Sequence, residues 1–172
     1  MNAFLLIIPI FLIRFGLLKM MNKDALSRAA FFAPLEGREK AAYLFYQFSN
    51  AFIILYSLFL KIQTKPPLFF IALYIYLLGI SVLIIATVNF AKPGQSGINT
   101  NGIYKISRNP MYIGYFIYFL SCVLLTHSIL LLISLLVFQI SAHWIILSEE
   151  RWCINKFGKE YVNYMSKVKR YI

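Results

Sequence analysis

The sequence predicts an all-α protein: a polytopic membrane helix bundle of about five transmembrane helices, with a C-terminal helical hairpin and an amphipathic tail. Three observations lead there. Of 172 residues, 60% are hydrophobic and the mean hydropathy is +0.72, whereas a soluble globular chain is about half apolar. The apolar residues fall into runs of helical rather than strand length. The charges lie in the gaps between those runs, and no Asp, Glu, Lys or Arg occurs from Pro110 to Ser148.

The runs follow in order. Residues 3–18 form a short first span, apolar except for Arg14, whose side chain is expected to snorkel to a headgroup rather than pair inside the bundle. The span has no basic leader and no small-residue cleavage site, so it reads as a retained helix. Residues 19–43 form a charged connector. An interfacial helix is expected around Asp24 to Phe32, broken by Pro34 and Gly37. Residues 44–60 make a second span, ended by Lys61, Lys65 and the Pro66-Pro67 pair. Residues 68–90 make a third, long enough at about 1.5 Å per residue to cross a core of roughly 30 Å. A polar loop runs from Lys92 to Arg108. Residues 110–126 and 128–148 then form two spans joined by a tight turn near Thr126-His127-Ser128, because one straight helix of that length would overshoot the bilayer. Nothing stops the last helix before Gly158, a good C-cap. Beyond it, Lys159 to Ile172 has an amphipathic pattern, fit to lie on the membrane or over a site.

The stretch Gly102 to Gly114 reads Gly-Ile-Tyr-Lys-Ile-Ser-Arg-Asn-Pro-Met-Tyr-Ile-Gly. Asn109 suits an N-cap and Pro110 the first helical position, so the fourth span starts here. Its first turn leaves backbone N–H groups free for an anion, and Arg108 adds a fixed planar guanidinium. Tyr104 and Tyr112 flank it. Alone, this stretch reads equally well as helix punctuation with an interfacial charge. At the end of the fifth run stands Ser148-Glu149-Glu150-Arg151-Trp152. Adjacent carboxylates near a helix C-terminus repel each other and oppose the dipole, so they want cations nearby. Alone they would be a solvated helix face, but the hairpin brings them to the same end of the bundle as Arg108. A cation, paired anions, free N–H groups and aromatic rings suit S-adenosylmethionine. Its carboxylate seeks Arg or N–H groups, its ammonium a carboxylate, and its sulfonium an aromatic face. A nucleotide phosphate fits less well, since no P-loop or dinucleotide fingerprint is present. No metal is expected, because no His or Cys cluster has zinc spacing. Cys122 and Cys153 make no disulfide framework. His143 lies two turns before Glu150 on nearly the same face and reads as a bundle-interior hydrogen-bonder.

The string Gly-x-Tyr-x-x-x-Arg-Asn-Pro-x-Tyr-x-Gly, followed by Glu149-Glu150, Phe157-Gly158, Tyr161 and Tyr164, resembles the C-terminal half of the isoprenylcysteine carboxyl methyltransferase family and its phospholipid methyltransferase relatives. The likeness covers about residues 98–172, leaving residues 1–97 as membrane helices and connectors of the same integrated domain. That family often has His where this chain has Asn109, and Leu where it has Cys153. The resemblance implies an S-adenosylmethionine-dependent methyltransferase acting on a lipophilic or small acceptor. By position, Tyr104, Arg108, Asn109, Pro110, Tyr112, Gly114, Glu149 and Glu150 would form the cofactor pocket. Arg108 would orient the cofactor carboxylate or an acidic acceptor, and Glu150 would hold the ammonium. A transporter would want ionisable groups in mid-membrane, and a scaffold subunit would give Arg108 and the Glu pair no reason to meet.

The formal charge of +11 is explained by anionic lipid headgroups and membrane orientation rather than by nucleic acid. Lys and Arg number fourteen in segments 19–43, 91–110 and 148–172, against two in 61–67 and none in 126–128. The richer side faces the cytosol, which puts the N-terminus outside and the C-terminus and site inside; in a prokaryote this would be the cell membrane. A reporter fused after Ile172 should therefore be active only on the cytosolic side. Activity on the outer side would reverse the orientation.

Overall fold

A computed structural model describes residues 1–172, with residue 23 described by its backbone alone. Seven helices follow one another, with a separate 3₁₀ turn at Gly102–Lys105 before the fifth: α1 (Ala3–Met21), α2 (Lys23–Ala30), α3 (Arg38–Tyr56, extended by a 3₁₀ turn to Phe59), α4 (Leu68–Phe90), α5 (Pro110–Thr126), α6 (Ile129–Phe157) and α7 (Lys159–Lys167). Four of these helices are long and apolar enough to cross a membrane, and α5 is a shorter apolar one. The chain is an all-α membrane bundle, and the outward faces carry large bare side chains such as Leu44, Phe48, Phe59, Phe70 and Ile140. Apolar exposure on that scale belongs in lipid.

The third and fourth spans have the bounds expected from the sequence, and α6 runs on to Gly158, whose N–H caps the Ile154 carbonyl. Other boundaries differ. The first span runs to Met21, and α2 starts at Lys23 because the Asn22 side chain accepts from the Asp24 and Ala25 N–H groups. The second span begins at Arg38 instead of 44. A charged first turn is tolerated there because buried Glu39 is held by Arg151, with both terminal nitrogens at 2.7 Å from its two oxygens. The hairpin turns at His127, the one non-Gly residue with positive φ among the described residues. The tail helix is confined to Lys159–Lys167, and the last residues are extended.

Helices α4 and α5 lie antiparallel and nearly touch. A Cβ on Gly79 would sit 2.7 Å from the Tyr118 backbone nitrogen, and one on Gly114 would sit 2.8 Å from Leu83 Cδ2. Small residues at such crossings let backbones approach where lipid supplies no hydrophobic drive. Helices α3 and α6 pair likewise, with Tyr46 stacked on Phe138 at 4.9 Å. The first helix is fixed to α4 and α5 through its Leu6 carbonyl, which accepts from Tyr76 at 2.9 Å and from Tyr118. At this end main-chain bonds also join Ala3 to Leu60, Ile62 to Met1 and Gln63 to Leu125. At the other end Asn22 reaches the Ala91 carbonyl, and Arg108 and Glu150 meet.

Arg14 does not snorkel. Its guanidinium turns inward and donates to the Tyr115 hydroxyl at 2.8 Å and the Ala29 carbonyl at 2.7 Å. Polar partners within reach make this better than stretching toward a headgroup.

Replacing Gly79 by Val should cost about 1–3 kcal/mol through overpacking at the α4–α5 crossing. Gly16→Ala, where nothing lies within 4 Å of the added carbon, should be nearly neutral. Thermal unfolding in detergent measures both, and equal melting temperatures for the two variants would contradict the close approach.

Candidate active site

Three ends converge at one face of the bundle: the start of α5, the end of α6 and the C-terminal tail. Pro110 begins α5, as its missing N–H allows. Asn109 stands at the N-cap position, yet its side chain makes no cap. Its amide donates instead to the Arg170 carbonyl at 3.1 Å. Ser107 donates to that same carbonyl at 3.2 Å, and the Arg108 N–H bonds the Lys169 carbonyl at 3.0 Å. The tail is thus laid beside the Ser107–Asn109 segment like a short strand.

Arg108 lies at the centre. Its Nε and Nη2 reach Glu150 Oε1 at 3.1 and 2.7 Å, and its Nη1 donates to the Met165 and Val168 carbonyls at 3.1 and 2.6 Å. Arg170 holds the other oxygen of Glu150 at 2.8 Å. The Arg108–Glu150 pair is almost fully buried, with side-chain exposures of 7% and 5%. Arg108 and Glu150 do meet, as the hairpin requires, but they spend their bonding capacity on each other and on the tail. Tyr164 adds a bond of 2.6 Å to the Tyr104 carbonyl. Burial pushes the Tyr104 phenol up and the Tyr164 phenol up to about 12, so both are neutral hydrogen-bonders at physiological pH.

Beneath this latch lies a cavity of about 490 Å³, within the usual range for small-molecule sites. Tyr104, Arg108, Asn109, Tyr112, Glu149 and Glu150 line it as the motif suggested, whereas Pro110 and Gly114 are absent from its wall. Gly114 serves the α4–α5 crossing instead. Glu149 differs from its neighbour: one oxygen accepts from the Tyr112 hydroxyl at 3.1 Å, and the other has no hydrogen-bond partner among the described residues. Trp152, edge-on to Phe157 and 5.2 Å from Phe31, makes an aromatic wall with Lys156 4.5 Å above its ring. Arg28 lies 5.0 Å over Phe90. The Asn99 Oδ1, on a cavity-lining residue, is buried without a partner. Buried carbonyl oxygens are normally hydrogen-bonded, to protein or to water.

The phospholipid methyltransferase family model matches residues 66–160. The chain belongs to that family. No curated protein and no solved structure matches it. The family region spans α4, α5 and all of α6, the elements that bring Arg108 to Glu150. With its spans, membership makes the chain an integral membrane protein of a methyltransferase family. The first three helices and the last twelve residues lie outside the match, yet they supply Arg14, Arg28 and Arg170. Among the described residues no cluster of His, Cys, Asp and Glu could hold a metal.

Sequence reasoning passed over Arg170, Arg151 and Asn99. Arg170 looked like one more surface charge in a basic tail, and nothing local distinguishes it from Lys167 or Lys169. His143 is met by the tail, its Nδ1 2.9 Å from the Tyr171 hydroxyl.

Glu150→Ala would leave Arg108 buried without its counter-charge, a loss of about 3–5 kcal/mol. The variant should melt earlier in detergent, and backbone amides of residues 159–172 should exchange faster. Glu149→Gln should leave that exchange unchanged. Equal protection of the tail in all three proteins would remove the latch.

Proposed function

We propose that this chain is an S-adenosylmethionine-dependent membrane methyltransferase whose cytosolic cavity holds the cofactor and whose acceptor is lipophilic. The single observation that carries the reading is the free Glu149 oxygen in an aromatic-walled cavity, whose wall also includes Asn99 with its buried and unpartnered oxygen. Those two acceptors suit an ammonium or exocyclic amine donor. Trp152 and Phe157 offer faces for an adenine or a sulfonium, and Lys156 and Arg28 offer charge to a carboxylate. The donor set therefore fits the cofactor with Glu149, rather than Glu150, as the ammonium partner.

When bound, the cofactor supplies a methyl carbon on a sulfonium, displaced in line as the acceptor nucleophile forms its new bond and the sulfur keeps the old bonding pair. The donor is already activated, so the protein's part is alignment and exclusion of water. The Arg108–Glu150–Arg170 latch supports that role by closing the tail over the cavity. Tyr112 holds the Glu149 carboxylate in place. The charge asymmetry between the two ends supports a cytosolic location for this face.

Calorimetry on the purified protein in a neutral detergent tests the reading. The wild type should bind S-adenosylmethionine. Glu149→Gln should weaken binding about tenfold or more, the range expected for loss of a charge-assisted bond. A wild type that takes up no heat with the cofactor would overturn the proposal. Transfer of radiolabel from the cofactor into an organic extract of membranes would identify the acceptor fraction.

A further inference from the structure

Arg14 has no task in the reading so far. It stands in α1, outside the matched family region, and it lines the same cavity. Its two partners, the Tyr115 hydroxyl and the Ala29 carbonyl, are both neutral. Among the described residues no carboxylate lies within 4.0 Å of it. A guanidinium has five N–H donors, and the remaining donors of this fork have no protein partner. The nearest carboxylate, Glu149, acts on it only across the cavity, and a largely buried cation with no anion in contact is costly.

The backbone gives a second, independent sign. Residues Leu12–Leu17 are π-helical, and the Leu18 N–H bonds the Ile13 carbonyl. A π segment inserts an extra residue into a turn, rotates the side chains there, and recurs at functional sites. Arg14 is inside it. Snorkelling would need no such distortion.

The charges on the wall point the same way. Arg14, Arg28, Arg108 and Lys156 face Glu149 and Glu150. Glu150 is consumed by Arg108 and Arg170, so three cations remain against Glu149. The proposed cofactor carries one carboxylate, one ammonium and one sulfonium, and its binding adds positive charge. With Lys156 and Arg28 given to the cofactor carboxylate, an anionic group on the other substrate would face Arg14. Tyr115 lies five residues into α5, roughly 7 Å along the axis from its start, a depth suited to the headgroup of a chain-bearing molecule.

We infer that Arg14, oriented by Tyr115 and the Ala29 carbonyl, is the binding site for an anionic group on the acceptor, a phosphate or a carboxylate carried by a lipid chain. This rests on the methyltransferase reading of the cavity. Arg14 is a positioning and specificity residue at the bilayer side of the cavity, and the first helix is thereby part of substrate choice.

The test uses the full-length protein in a neutral maltoside detergent, saturated with S-adenosylmethionine, and three probes of one chain length: dodecyl phosphate, dodecanoate and dodecanol. Calorimetry on the wild type should find one of the anionic probes bound about tenfold tighter than the alcohol. Whichever anion wins tells a phosphate-bearing acceptor from a carboxylate-bearing one. Arg14→Gln should reduce the preference to less than about threefold, with cofactor affinity retained. Equal affinity for all three probes in the wild type, or an undiminished preference in Arg14→Gln, would overturn the inference, the latter assigning the preference to other cations such as Arg28 and Lys156. Should Arg14→Gln not fold, phenylglyoxal labelling of the wild type decides. The winning anion should protect Arg14 in the peptide map and dodecanol should not, and labelling indifferent to the anion overturns the site. A wild type that binds no cofactor defeats the methyltransferase reading. One that binds it and ignores head-group charge defeats only the anion site.

Discussion

The structure depends on one carboxylate held between two guanidinium groups. Glu150 lies about two turns before the end of the long helix α6, Arg108 precedes α5, and Arg170 comes from the tail. A buried ion pair adds little net stability over a well-packed apolar contact, because desolvation offsets attraction. Its value is direction. Carboxylate and guanidinium bond along fixed lines, so this triad admits one arrangement of three distant segments. The carbonyls of Met165 and Val168 complete the Arg108 fork, which ties the tail's backbone as well as its charge.

That arrangement separates two neighbouring acids by function. Successive residues on a helix point about 100° apart. Glu150 faces the tail and is saturated, whereas Glu149 faces the cavity with an oxygen to spare. A single motif thus gives a strut and a carboxylate oxygen left free at the cavity. The same division of labour runs through the sequence around Pro110: Arg108 and Asn109 secure the tail, Tyr112 faces the cavity, and Gly114 lets two helices cross.

Much of the fold was legible because apolar length and charged gaps are properties of single segments. The bounds of α4 and α5, the turn at residues 126–128 and the cap at Gly158 follow from local rules alone. The start of α3 was not legible, since a charged first turn is tolerated only because Arg151, 112 residues away in sequence, meets Glu39. The inward turn of Arg14 depends likewise on Tyr115, 101 residues on. At the site, the convergence of residue 108 with residue 150 was readable from topology. Which acid was free and which was spent required Arg170, whose neighbours in sequence are equally basic.

The opposite end of the bundle is built on another principle. There, main-chain bonds sew Met1 and Ala3 to residues 60–62 and Gln63 to Leu125, joining the N-terminal segment, the α3–α4 connection and the last turn of α5 without any side-chain charge. A seam of backbone bonds resists shear in a low-dielectric setting, where each broken bond would strand two polar groups. The helices are therefore clasped at one extremity by the backbone, and at the other by a buried ion pair with a part-exposed second guanidinium. The two extremities are thus fastened by independent means, so a charge change at the site leaves the backbone seam intact.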